Sequence, residues 1–222
     1  MIMRSIFQSL VILFLLTSCA GYKLRSNKNP LAKADVHSIA VPVFINKTSL
    51  EKVSAVYTRE IISSLSAFKN LKITAGNITN EDALLLGIIT PKTADKRGKF
   101  IRTSSLMTEE QQTAIGKRNA FEVPTSGGYT VNVEIIVLKN PTAEEIEFFT
   151  NYYNFKATDF PRTVFHHTFA IDGSYSIENP VGDMSSGAPL RGVQNQGKLR
   201  KSLVDSANTL ATDFHEVITN AF

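Results

Sequence analysis

Apolar positions along this chain repeat with two periods, and the periods sort it into strands and helices. Ile39, Val41 and Val43 alternate with small or polar residues within 36–44, which predicts a half-buried strand. Pro42 has no amide donor and hints that this strand is an edge. Leu50, Val53, Tyr57, Ile61, Leu65 and Phe68 then recur at helical spacing. They predict one apolar stripe on a helix of about five turns. Thr48 and Glu51 have the spacing of a capping box at its start. A brief strand is predicted over 71–74. Residues 83–89 are a near-continuous apolar run bounded by Pro91, which predicts a central strand covered on both faces.

Residues 91–128 change character. Basic residues are frequent and apolar ones sparse, as expected of a long polar insertion with a short helix over 105–116. Val131, Val133, Ile135 and Val137 then place one face of a strand over 129–138. Residues 142–155 fit two patterns. Thr142 and Glu145 suit a helix cap, whereas Phe148, Phe149, Tyr152, Tyr153 and Phe155 also suit a strand. A long strand over 163–177 carries Phe165, His167, Phe169 and Ile171 on one side. A Gly/Ser/Pro loop covers 179–197. A last helix, from about residue 196, bears Leu199, Leu203, Ala207, Leu210, Phe214 and Val217 as its stripe. Two such helices need an apolar surface to lie on. The predicted fold is therefore α+β, a two-layer sandwich. Two amphipathic helices pack on one face of a mostly antiparallel sheet of about four strands.

The first residues stand apart from this domain. Arg4 precedes a run from Ile6 to Leu16 that is almost wholly apolar. A basic start, a short apolar centre and small residues at the end describe a secretory signal peptide. The run is too short to cross a bilayer, which takes about 20 apolar residues. It ends in Leu16-Thr17-Ser18-Cys19, similar to the lipobox of bacterial lipoproteins. Cys19 is the only cysteine of 222 residues. In that class the thiol carries a diacylglyceryl group, and the chain is cut just before the cysteine and acylated. Ser18-Cys19-Ala20 also fits an ordinary signal cleaved after Ala20. Lipidation better accounts for a lone exported cysteine with no disulfide partner in the chain. Three acyl chains exceed the two signals that stable anchoring takes. Ala20, in place of an acidic residue, resembles the outer-membrane default of enterobacterial lipoproteins. The expected organisation is a signal over 1–18, a lipidated tether over 19–35 and one domain over 36–222.

Charge and motifs limit the chemistry. Lys and Arg number 24 against 20 Asp and Glu, too mild an excess to argue for nucleic acid. No nucleophile elbow, P-loop, zinc-protease helix or paired-cysteine metal site occurs, so neither an enzyme nor a metal or cofactor is expected. His166 and His167 are adjacent on a strand and point to opposite faces, which does not suit a shared metal. Lys96, Arg97, Lys99 and Arg102 cluster in the insertion, as either a solvated loop or a site for phosphate on a lipid headgroup. Lys198, Arg200 and Lys201 fall near the predicted start of the last helix, where the macrodipole disfavours cations. Either that helix starts earlier, the preferred reading, or an anion sits there.

Cys19-Ala20-Gly21-Tyr22-Lys23-Leu24-Arg25, followed by Ile39-Ala40-Val41-Pro42-Val43-Phe44-Ile45-Asn46 and an amphipathic helix, resembles the LPS-assembly lipoprotein (LptE) family. The resemblance covers the amino-terminal third well and the later order of elements loosely. It implies a non-catalytic plug and assembly factor inside a large outer-membrane β-barrel of the LptD type, with lipopolysaccharide as ligand. The insertion at 91–128 departs from the compact family pattern, so lipid-contacting residues do not transfer position by position. Lys96, Arg97, Lys99 and Arg102 are candidate lipopolysaccharide contacts on chemical grounds, because lipid A phosphates need cations. Other readings are an accessory lipoprotein of a secretin or of the barrel-insertion machinery, and a lipid-anchored hydrolase using His166 or His167.

Overall fold

The structure, a computed structural model, describes residues 27–76, 80–92, 99–105, 122–145, 162–178 and 188–222. A short 3-10 turn (Pro30–Ala34) leads into β1 (Ser38–Val41) and β2 (Ile45–Asn46). Helix α1 (Val53–Ser66), β3 (Lys72–Ala75) and β4 (Ala83–Pro91) follow. Then come β5 (Lys99–Ser105), β6 (Glu122–Lys139), β7 (Thr163–Ser176) and helix α2 (Ala188–Ala221). The class is α+β, a helix layer on one sheet, as expected. Among the described residues the sheet has seven strands, more than the predicted four.

β6 explains the difference. It pairs antiparallel with β4 through 131–139, with β5 through 122–129 and with β7 on its other edge. β4 and β5 thus share one edge of β6, one after the other. β1 and β2 run parallel to β4, and β3 parallel to β1. The predicted insertion is therefore partly sheet, since 99–105 and 122–128 are strand. Its exposed, cation-rich β5 lacks the alternation that reveals a strand. Of the predicted helix over 105–116, Ser105 instead ends β5 and 106–116 lie outside the described residues. β1 lies inside the sheet between β3 and β4, and Pro42 sits just beyond its end, so the expected edge position does not hold.

The helix stripes sit where their periods put them. Leu50, Val53, Tyr57, Ile61, Leu65 and Phe68 are all buried, as are Leu203, Ala207, Leu210 and Phe214. They meet Val131, Val133, Ile135 and Val137 of β6, and Phe165, Phe169 and Ile171 of β7. Burying each such side chain contributes about 1.5–3 kcal/mol. The Phe214 ring stands edge-on to Phe165, with centroids 6.0 Å apart. A second buried cluster, Ala40, Leu84, Leu86, Ile136 and Leu138, lies on the other sheet face.

The start of α1 differs from the predicted capping box. Thr48 donates to Asn46 Oδ1 and accepts from the Leu50 amide at 3.1 Å. These local bonds turn the chain before the helix and leave Glu51 out. The helix begins at Val53 after Lys52, which takes a left-handed φ of 62°. A capping box does form farther on. The Thr142 amide donates to Glu145 at 2.7 Å, and the Glu145 amide donates to Thr142 at 3.2 Å. One helical turn starts at 143, which favours the helical reading there, while 146–161 lie outside the described residues.

A buried hydroxyl cluster joins both helices to the sheet. The Tyr129 hydroxyl of β6 donates to the Ser202 carbonyl at 2.9 Å and lies 2.8 Å from Ser206 Oγ on α2. The Tyr57 hydroxyl of α1 lies 2.9 Å from the same Ser206 oxygen. Burial pushes the Tyr57 phenol well above the usual tyrosine range and raises that of Tyr129 as well. Gly173 of β7 makes room for the Tyr129 ring, since a Cβ there would lie 2.1 Å from its Cζ.

A polar clasp holds the sheet's other side. Asp82 Oδ2 accepts from the His37 and Ser38 amides at 2.9 and 2.8 Å. Glu81 accepts from Lys72 Nζ at 2.9 Å and Thr74 Oγ1 at 2.8 Å. The His37 amide bond holds Asp82 below the ordinary carboxylate range, and the Lys72 bond does the same for Glu81.

Two outcomes follow from this packing. Tyr129→Phe should lower stability by about 1–3 kcal/mol, because Ser206 and the Ser202 carbonyl lose a buried partner. Urea unfolding checks it, and the loss should be less than additive with Tyr57→Phe. The clasp should also make the fold acid-sensitive. Unfolding returns both carboxylates to ordinary affinities, so the unfolded chain binds more protons in acid. Their contribution should be intact at neutral pH and fade as pH falls below about 4. Asp82→Asn with Glu81→Gln should flatten the melting temperature between pH 6 and 3.

Candidate functional site

The predicted cations fall into two groups. Lys99 and Arg102 lie on β5, whereas Lys96, Arg97 and Cys19 lie outside the described residues. β5 pairs with β6 from Lys99 opposite Tyr129 to Ser105 opposite Glu122. A register shift between Arg102 and Thr103 marks a bulge, which re-aims the strand beyond it. Paired residues share a sheet face, so Phe100 lies on the face of Gly128 and Ile101 on that of Gly127.

Sequence reasoning picked the cations and passed over the two apolar residues between them. Phe100 is 39% exposed and Ile101 is 55% exposed, two of the large apolar side chains left open to solvent among the described residues. Gly128 is what lets Phe100 settle. A Cβ there would lie 2.4 Å from the Phe100 ring. The Arg102 guanidinium stands 5.6 Å from the Phe100 centroid, a cation–π distance. No carboxylate pairs with Lys99 or Arg102 among the described residues. Both ends of this four-residue stretch are thus cationic and both central residues apolar. The missed signal was the pair Phe100-Ile101 itself, inside a polar stretch.

Two cations of α2 are already paired. Lys198 of α2 bonds Glu178 and donates to Ser176 Oγ, and Lys201 pairs with Asp205 at 3.3 Å. With Gln194 and Gly197, Lys198, Lys201 and Glu178 line an open cleft of about 570 Å³. Because α2 starts at Ala188, Lys198, Arg200 and Lys201 lie well inside the helix. The expected conflict with its macrodipole disappears. On the sheet face away from the helices, His166 Nε2 lies 2.8 Å from Glu134. Burial lowers the pKa of nearby Lys47, and Glu134 partly offsets that.

The histidines are dispersed. His37 approaches Asp35 at 3.8 Å, His215 stacks on Phe68, and His167 meets Phe169 edge-on. Among the described residues no group of three His, Cys, Asp or Glu is placed to hold a metal ion. No helix among them is long and apolar enough to cross a membrane.

No protein-family model matches the chain, and no curated protein matches it. Solved structures that are similar include a Xanthomonas campestris protein of family DUF330. It is 7% identical, with a TM-score of 0.39, over 83% of this chain and 86% of that one. Rare lipoprotein B from Shewanella oneidensis is 11% identical with a TM-score of 0.34, over 81% of this chain and 97% of its own. Lipoprotein GNA1162 from Neisseria meningitidis is 12% identical with a TM-score of 0.32, over 74% and 96%. Likenesses this weak bear on neither partner nor activity.

The site's exposure has a measurable consequence. Lys99→Glu with Arg102→Glu should leave the melting temperature within about 2 °C of the parent, since neither cation has an ion-pair partner among the described residues and a contact with a half-exposed ring contributes little. Differential scanning calorimetry of the pair checks it.

Proposed function

We propose that the chain is a lipid-anchored outer-membrane accessory protein of lipopolysaccharide delivery. It acts as a plug and assembly factor within a β-barrel partner and as a binder of lipopolysaccharide, without catalysis. The observation that carries the reading is the segment Leu16-Thr17-Ser18-Cys19-Ala20-Gly21-Tyr22-Lys23-Leu24-Arg25 ahead of a strand, an amphipathic helix and a carboxy-terminal helix. In this reading Cys19 carries the acyl chains and holds the domain at the membrane. Lys99 and Arg102 supply cations toward lipid A phosphates, and charge-assisted contacts of that kind are the strong ones.

Affinity purification of the acylated chain from detergent-solubilised membranes tests this. One large β-barrel protein should co-purify in a fixed ratio, and Cys19→Ser should release the chain from the membrane fraction. Recovery of the lipoprotein alone, with the barrel folded normally in its absence, would overturn the reading. A secretin as the fixed partner would replace it.

A further inference from the structure

We propose that the open edge of β7 is a strand-addition site. Its occupant is one extended segment of another protein, in which apolar and polar residues alternate. Such pairing is independent of lipopolysaccharide binding and uses backbone groups in place of cations.

Three observations single out β7. The first is a row of outward backbone groups. β7 pairs with β6 on one side, and no strand pairs with its other side among the described residues. The Ile177 amide donates to the Thr125 carbonyl at 2.9 Å, in step with the ladder from Phe165 to Ser176. Bonded and non-bonded pairs alternate in an antiparallel ladder. Odd-numbered residues therefore turn their amides to β6, and even-numbered ones turn theirs away. His166, Thr168, Ala170, Asp172, Ser174 and Ser176 thus present theirs to the open edge, and all six are exposed.

The second is the lack of a guard. Proteins blunt exposed sheet edges with short strands, lysine, proline or a bulge. The other edges of this sheet carry such devices. β3 has four residues and starts at Lys72, and β2 has two. β5, which forms a ribbon with the first half of β6, carries Lys99, Arg102 and the bulge that follows. β7 runs for 14 residues without Lys, Arg or Pro. Its ladder is unbroken from Phe165 to Ser176.

The third is what stands over the edge, and it selects the occupant. α2 lies along β7. Phe214 meets Phe165 and Phe169, and the Tyr129 ring crosses Gly173 to reach the Ser202 carbonyl. A second copy pairing through its own β7 would bring two such helices over strands about 4.8 Å apart. Packed helices need about 8–10 Å between axes. A lone extended segment meets no such obstacle. Its side chains alternate between the two sheet faces. On the helix side they lie beside Phe165, His167, Phe169 and Ile171, at the flank of α2, which suits apolar residues. On the other side they lie beside Thr168, Asp172 and Ser174, which suits polar ones.

Amide hydrogen exchange of the full chain in detergent tests this. The probe is a short acetylated peptide that alternates threonine and valine between terminal lysines. In the free chain the amides of Thr168, Ala170, Asp172 and Ser174 should exchange readily. Saturating peptide should slow them at least tenfold and leave those of Phe169 and Ile171, already bonded to β6, unchanged. A peptide of the same composition with its valines grouped should bind at least tenfold more weakly by fluorescence anisotropy. Each peptide edge carries the amides of one residue type, so N-methylation at the threonines or at the valines blocks one edge. Only one of these two forms should lose binding, at least tenfold. Ala170→Pro removes one outward donor, keeps the bonds to β6 and should weaken the peptide at least tenfold. A melting curve matching the parent shows that this variant is folded, and the N-methylated peptides serve if it is not. Unchanged exchange of the even-numbered amides at millimolar peptide, or equal binding by both N-methylated forms, would overturn the proposal. Slow exchange of those amides in the free chain, with a concentration-dependent dimer in sedimentation, would overturn it in favour of a second copy.

Discussion

β6 is the constraint on which the other elements depend. It borders β4 and β5 on one edge and β7 on the other, so all three antiparallel ladders among the described residues run through it. Its period of two fixes which face is apolar. Val131, Val133, Ile135 and Val137 all point into the layer beneath the helices. A slip of one residue would send that whole set to the opposite face, which makes the register strongly specified. The helices then have one place to lie. Their stripes meet this face, and α1 and α2 also pack on each other.

The apolar layer alone does not fix where α2 sits along its axis, because a stripe of similar side chains can slide by a turn. The hydroxyl cluster removes that freedom. Tyr129 reaches both the Ser202 carbonyl and Ser206 Oγ, and Tyr57 reaches Ser206 from the other helix. A shift of α2 by one turn, about 5.4 Å, would leave two buried phenols and a serine without partners. Gly173 is part of the same arrangement, since the Tyr129 ring occupies the space of its missing side chain. Packing supplies most of the stability, and these few polar contacts select one alignment.

The sequence showed the elements whose faces are buried and hid the rest. The stripes of α1 and α2, the run in β4 and the alternation in β6 were legible because burial imposes a period on them. β5 was not, because it is exposed and no period is imposed on Lys99-Phe100-Ile101-Arg102. The helical Gly192 and Gly197 masked the start of α2. Both sit in open space, where no packing partner requires a larger residue. The α1 cap misled because Thr48 bonds its near neighbours Asn46 and Leu50 in preference to residue 51. Cys19 was legible from its sequence context alone, and the pairing of Phe100 with Arg102 required coordinates.

The same separation between buried and exposed parts lets binding vary without cost to the fold. Each residue of the helix-facing core is held by several neighbours, so a substitution there costs stability before it alters anything else. The ribbon is different. Its pairing continues the ladder of β6, yet Phe100 and Ile101 remain partly in solvent, and Arg102 leans on an exposed ring. Removing the side chain of Ile101 forfeits little burial, so such a change acts on what the ribbon touches. The doubly covered end of the sheet lies beside Asn27, and exposed β5 lies at the far end. A partner that enclosed the whole domain would meet this strand too, and the bulge at Arg102 and Thr103 would set the angle at which it does so.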